Sequence, residues 1–474
     1  MLRKLFTHSF LYSIAPQIPK LATLALMPVI TQNVRAYDYA IYGVVTSYLF
    51  FASALKDLGF SVVFVNAFYK HPARWKFLWR IFFGHLTIWS FFFSIITATL
   101  LYVALPSEEL VYYWQILFLV IVPIIVFENT NLIGNYYYRF SEKPLFVATA
   151  SIITGIATII TTYYCVVNLK LGYRSWFIAT FVSSFVLFCF YVYSVFFKLK
   201  IVPILKWKTR FIKPYLKVSL PMIPHNYSTY LLNSSDRVVM DWYKVDLKKI
   251  GNYNIAYTFG NYFEAFGEAI GLAVTPFYSK LYSSGKSEAL KDARDLTFFL
   301  MSCFLTVGFL MSLWLREVFT LLVRNEELST AYNVGIFIIM GYVYRPMYWS
   351  AGINLSISEK TSILWKISFV AGMLNVILNL IFVPLYGIMA AAISTLISLL
   401  YMGFAGFYLK AYKKLPQSNH YPRLWILLIL ALTFLVYQLR DTDIYIKVLI
   451  TILVLTGMSF LFFKKIGVIK AIKI

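Results

Sequence analysis

The sequence predicts an all-α polytopic membrane protein, with about fourteen transmembrane helices in two pseudo-symmetric six-helix lobes plus a C-terminal helical hairpin. Three observations lead there. Of the 474 residues 60% are hydrophobic and 13% charged, where a soluble chain carries about one quarter charged. Apolar runs long enough to cross the bilayer core follow one another with short gaps, and the mean hydropathy is +0.72. A segment in the first half also recurs in the second.

The N-terminal stretch MLRKLFTHSFLYSIAPQIPKL begins basic and turns apolar, but Pro16, Gln17, Pro19 and Lys20 interrupt it and no small-residue cleavage site follows. It reads as an uncleaved first helix. The expected spans are 9–31, 39–66, 77–105, 112–139, 145–169, 174–197, 214–241, 250–279, 294–315, 331–357, 362–385, 388–410, 422–438 and 444–463.

The net charge of +23 does not point to nucleic acid, because the basic residues sit in the gaps between apolar runs. With the N-terminus placed in the cytoplasm, roughly three times as many Lys and Arg fall on the cytoplasmic face as on the other. Both termini are therefore expected in the cytoplasm. The largest basic cluster (Lys198, Lys200, Lys206, Lys208, Arg210, Lys213 and Lys217) lies between spans six and seven, where it can meet an anionic leaflet. Cys165, Cys189 and Cys303 lie inside apolar runs and read as small packing residues. Other loops are short, and no extramembrane domain is expected.

The repeat sets the domain plan. RFSEKPLFVATASIITG (139–155) aligns without a gap against SISEKTSILWKISFVAG (356–372), sharing Ser-Glu-Lys, a later serine and the final glycine. Pro16-x-x-Pro19 similarly matches Pro221-x-x-Pro224. The expected organisation is an N-terminal lobe over 1–200, a basic linker over 201–213, a C-terminal lobe over 214–412, helices thirteen and fourteen over 420–464, and a basic tail over 465–474. An even number of spans per lobe makes the repeat parallel. Two such lobes suggest alternating access by rocking.

Polar side chains recur at helical spacing inside the spans. Asn254, Tyr257, Asn261, Glu264 and Glu268 advance by three and four residues and share one helix face. A carboxylate at mid-bilayer costs roughly 3 kcal/mol, so this face must meet protein or water. Span seven carries His225, Thr229, Asn233 and Asp236; span four carries Glu128, Asn131 and Asn135. Lys20 and Arg345 lie too deep in spans one and ten to reach the interface easily. The residues leave two roles open for Asp236 and Arg237, a structural pair or a site. They leave the same choice for Asp57, between a cation or proton site and helix packing, and for His225, between a packing hydrogen bond and a contact. No P-loop, HExxH, paired CxxC or nucleophile elbow occurs, so no catalytic residue, metal or cofactor is expected.

The run DRVVMDWYKVDLKKIGNYNIAYTFGNYFEAFGEAIGLAVTPFYSKLY resembles the oligosaccharide flippases of bacterial polysaccharide biosynthesis, within the multidrug/oligosaccharidyl-lipid/polysaccharide exporter superfamily. The elements that carry the resemblance are Asp236-Arg237, the segment Gly251 to Tyr257, Pro276, and in the first hairpin DYAIYGVV and KDLGF. It implies a non-enzymatic flippase that moves an undecaprenyl-diphosphate-linked repeat unit across the bacterial cytoplasmic membrane, for O-antigen, capsule or a similar glycan. Implied partners are that glycan, membrane lipids and the polysaccharide polymerase machinery, with the chain a monomer. Lys20, Arg345 and Arg237 are expected to offset the diphosphate and Asn254, Tyr257 and Asn261 to contact sugar hydroxyls, with His225 a further cavity candidate. Asp57, Glu264, Glu268 and Asp236 are the ion-coupling candidates. The rivals are a multidrug/cation antiporter, which Glu264 and Glu268 favour, and a membrane glycan polymerase, which the short outward loops disfavour.

Overall fold

The computed structural model describes residues 18–206 and 209–471, with the side chains of all of these except 18–22, 209–211, 225 and 460–471. The regular elements among them are helices, and they follow the expected spans in order. Two compact units result, Met1–Tyr230 and Leu231–Ile474.

The first unit holds α1 (Ile18–Asn33), α2 (Ala36–Lys56), α3 (Ser61–Lys70), α4 (Trp75–Ala104), α5 (Tyr113–Val122), α6 (Glu128–Phe140), α7 (Pro144–Tyr163), α8 (Arg174–Val192) and α9 (Thr209–Ser219). Pro123 lacks the amide that an α-helix needs, and a π-helical stretch, Pro123–Phe127, joins α5 to α6. Lipid tails are as apolar as leucine, so packing and hydrogen bonds hold such a bundle rather than exclusion from water. Its centre is aromatic: Phe64 meets Trp79 edge-on at 5.3 Å between centroids, and the Trp79 indole donates to the Phe64 carbonyl at 3.1 Å. Asp38 accepts from the backbone N–H of Arg35 at 3.1 Å and of Tyr173 at 2.9 Å, pinning the start of α2 to that of α8.

A helix α10 (Ile223–Asn233) leads into the second unit, which continues with α11 (Ser235–Trp242), α12 (Leu247–Ser284), α13 (Ser287–Leu313), α14 (Leu315–Leu322), α15 (Tyr332–Gly341), α16 (Arg345–Ile357), α17 (Ser362–Tyr408), α18 (Pro422–Leu439) and α19 (Ile444–Ala471). α17 contains both expected spans eleven and twelve, divided at Gly387 with φ 60° and ψ −140°. Side chains rarely tolerate that conformation, which explains how one glycine replaces a loop.

The two Ser-Glu-Lys loops share a backbone. Glu142 and Glu359 are both left-handed, with φ 53° and 58°. In each the lysine N–H closes a Schellman cap, from Lys143 to the Tyr138 carbonyl and from Lys360 to the Leu355 carbonyl, both at 2.9 Å. A left-handed residue also ends helices at Lys170, Lys200 and Lys244.

Within the second unit α18 and α19 pack on α13–α15. Lys447, with no exposure, donates to Glu317 and to the Arg440 carbonyl, both at 2.7 Å. Trp314 donates to Thr451 at 2.9 Å.

The loop before α18 is held by a buried polar chain. His420 Nδ1 lies 2.7 Å from the Ser418 carbonyl and must donate to it, so Nε2 accepts from Ser350, 3.1 Å away. Ser350 and Tyr282 hydroxyls lie 2.6 Å apart. Burial pushes the His420 pKa down to about 4. In the unfolded chain the ring binds a proton near pH 6.5, so the unfolded state binds more protons between those values. Stability is therefore full above pH 6.5 and falls as the pH drops toward 4, by about 3 kcal/mol. Thermal melts across this range should show the slope, and His420→Gln should flatten it.

Candidate functional site

Eight described helices are long and apolar enough to cross a membrane, and passes seven, eight and ten are not among them. Those three carry the site candidates whose side chains are described in the second unit. Two of the three are also discontinuous. Ser234 (φ −146°, ψ −12°) separates α10 from α11, and a 3-10 turn, Tyr342–Tyr344, separates α15 from α16. Irregular backbone at membrane depth is tolerated where protein or a water-filled cavity surrounds it.

The first break explains the charges of NSSDRVVMDWY. It frees the Asn233 carbonyl, and Arg237 Nη1 donates to it at 2.5 Å. The same guanidinium donates to Asp236 Oδ1 at 2.9 Å and, through Nε, to Asn254 Oδ1 at 2.8 Å. Its carbon lies 4.0 Å from the Tyr257 ring centroid. Asp236 is completely buried and also accepts from the Tyr253 hydroxyl. Arg237 therefore staples the broken seventh pass to α12, with its charge and most of its donors committed inside the unit. Lone buried charges are prohibitive, but this pair is answered by hydrogen bonds on every side.

A second cluster lies further along α12. Arg345 opens α16 immediately after the 3-10 turn and donates to Glu264 at 2.6 Å. Gly267 makes room for it: a Cβ there would approach Arg345 Cδ to 2.6 Å. Tyr257 links the two clusters, with its hydroxyl 3.3 Å from that of Tyr342 and 3.4 Å from Asn233 Oδ1. Asn261 and Glu268 are exposed on the same helix.

The second unit thus brings together Asp236, Arg237, Asn254, Tyr257, Glu264 and Arg345. Asn261 and Glu268 flank them. Asp57 belongs to the first unit, where it ends α2 and accepts from the Gly59 N–H at 3.1 Å. The side chains of Lys20 and His225 lie outside the described residues. Within this cluster Arg237 pairs with Asp236 and Arg345 with Glu264. An arginine at this depth is desolvated, and a carboxylate on the same or the next helix is the least expensive counter-ion.

Several partners carried no sequence signal. Tyr253 and Tyr342 look like ordinary membrane aromatics. Asn375 and Asn379, both wholly buried, form a ladder with Thr395, at 2.9 Å between the amides and 3.3 Å to the hydroxyl. In the first unit Lys56 pairs with Glu128, residues of different passes whose partnership no local spacing shows.

The regular elements among the described residues are helices, and their arrangement resembles that of solved membrane proteins. Lipid II flippase MurJ in an inward closed conformation matches with a TM-score of 0.64 at 17% identity, over 96% of this chain and 99% of that one. An inward-facing multidrug resistance MATE family transporter matches with a TM-score of 0.64 at 15% identity, over 90% and 99%. The second is described as a member of the MOP superfamily, and this chain shares the fold of both. The polysaccharide biosynthesis protein family model matches residues 6–282, more than half of the sequence, and the chain belongs to that family. The MatE model matches residues 221–381. An uncharacterized membrane protein of Methanocaldococcus jannaschii is 26% identical over 191 residues, 40% of this chain and 37% of that protein's length.

Proposed function

We propose that this protein flips an undecaprenyl-diphosphate-linked oligosaccharide from the cytoplasmic to the outer leaflet of a bacterial cytoplasmic membrane, by alternating access and without catalysis. The glycan would serve O-antigen, capsule or another surface polysaccharide, and both termini would be cytoplasmic. The observation that carries the reading is the polar face of α12. It carries Asn254, Asn261, Glu264 and Glu268 beside Arg345, with Tyr257 buried behind them, in a chain of the polysaccharide biosynthesis family. Amides and a phenol suit sugar hydroxyls, and a guanidinium suits phosphate oxygens.

The Arg345–Glu264 pair gives this site a chemical logic. An entering diphosphate competes with Glu264 for the guanidinium. Glu264, an ion-coupling candidate, would then be the group that changes partner as substrate loads. Arg237, with its charge answered by Asp236 and its Nε and Nη1 donors engaged, acts as a positioning residue for Tyr257 and Asn254.

Mass spectrometry of lipid-linked glycans after depletion in the native host tests the reading. Complete undecaprenyl-diphosphate repeat units should accumulate while surface polymer disappears, and reporter labelling should place them in the inner leaflet. The second reading, a multidrug/cation antiporter, draws on the MatE match and on the acidic Glu264 and Glu268. Unchanged lipid-linked glycans with altered drug tolerance would replace the flippase by that reading.

A further inference from the structure

The first unit contains a cavity of about 210 Å³ among α2, α4, the α5–α6 pass and α8. It lies apart from the α12 cluster in composition and in the residues that build it. Sites for drug-sized ligands run to roughly 300–1,000 Å³, so this one suits a single ring.

Its chemistry narrows the occupant. Four hydroxyls in the wall spend their protons on carbonyls of their own helices: Thr46 to Tyr42 at 2.6 Å, Ser53 to Phe50 at 2.7 Å, Thr97 to Phe93 at 2.9 Å and Thr180 to Trp176 at 2.8 Å. Each keeps acceptor lone pairs. The wall also holds the Lys56–Glu128 ion pair, which adds further acceptors on the carboxylate and spare donors on the ammonium. Phe93 and Phe177 supply aromatic surface. An anion would meet acceptor oxygens and Glu128. A metal cation would meet the Lys56 ammonium. A neutral ring rich in hydroxyls donates to the acceptors, accepts from Lys56 and lays its C–H face on the aromatics.

We propose that this cavity is a monosaccharide subsite, binding one neutral pyranose of the transported glycan. The assignment rests on the flippase reading for its biological ligand, but the binding itself is testable without transport. The full chain is placed in lipid nanodiscs free of glycoside detergents. Its thermal unfolding is followed with methyl α-D-glucopyranoside, the methyl glycoside of N-acetylglucosamine, methyl glucuronoside and sodium chloride as separate probes.

A neutral glycoside should raise the melting temperature saturably, and the glucuronoside should do so less. Thr97→Val and Glu128→Gln should each weaken that binding by about tenfold, the loss of one hydrogen-bond partner. Thr46→Val offers a second removal should either variant fail to fold. Absence of a saturable rise with any glycoside overturns the proposal, as does wild-type binding by all folded variants. A rise with sodium alone replaces the subsite by a cation site. Glycoside binding that fails while lipid-linked oligosaccharide is still flipped removes only the subsite. Intact glycoside binding without flipping removes only the flippase.

Discussion

Replacing Asp236 with alanine should destabilise the second unit by about 3–5 kcal/mol, because it leaves Arg237 buried beside a vacated counter-ion position. The pair is almost wholly enclosed, with side-chain exposures of 8% for Arg237 and none for Asp236. Tyr253 loses its acceptor in the same step. For a unit of this size the melting temperature should fall by on the order of 10 °C. Scanning fluorimetry of purified protein measures this. The double variant Asp236→Ala/Arg237→Met should recover a large part, since removing both charges ends the imbalance. A double variant no better than the single one would show that the two residues act independently, contrary to the staple. Transport should fall in both variants, because Arg237 holds Asn254 and Tyr257 in place.

Arg345 and Glu264 should separate by function rather than by stability. On the flippase reading, Arg345→Met removes the guanidinium that a diphosphate would win from Glu264, and should reduce the flipping rate by about ten- to a hundredfold, as for a charge-assisted hydrogen bond of 1.5–3 kcal/mol. Glu264→Gln leaves the arginine in place without its competitor. Substrate should then bind more tightly, while turnover falls and loses its dependence on the proton gradient. Proteoliposomes with a fluorescent lipid-linked oligosaccharide, with and without an imposed gradient, distinguish the two. Equal loss of binding in both variants would mean that the pair is simply a structural brace.

The course of the chain through the membrane was largely legible in the amino-acid order. Apolar runs and their punctuation place the helices within a few residues, because crossing a bilayer demands length and apolarity before anything else. The turn at Gly387 needed a single residue with an unusual backbone rather than a polar loop, and expected span 39–66 is likewise broken between Lys56 and Ser61, where Leu58 and Gly59 are left-handed. The site was legible only in part. Periodicity brought Asn254, Tyr257 and Glu264 onto one face, and depth singled out Arg345. It did not show that Glu264 would neutralise Arg345 or that Arg237 would turn inward to Asn254. Those outcomes depend on which helix lies alongside which, and a break of one residue at Ser234 decides the direction of Arg237. Lys56 and Glu128 illustrate the same limit in the first unit, since each looked like a lone charge until its neighbour from another pass was known.

The broken seventh pass has a consequence for the birth of the protein. Asp and Arg in a membrane helix oppose insertion, by about 2.5–3.5 kcal/mol each at its centre and less toward its end, and the seventh pass contains one of each side by side, about one turn from the end of the expected span. Asp236 and Arg237 answer one another and Asn233 lends its carbonyl, but the remaining partners, Tyr253, Asn254 and Tyr257, are on the eighth and leave the ribosome later. The seventh pass therefore has little reason to enter lipid alone, and should wait at the translocon until the eighth emerges, so that the two enter as a hairpin. A nascent chain halted before residue 253 should remain accessible from the aqueous side at Asp236, and one halted after the eighth pass should be protected.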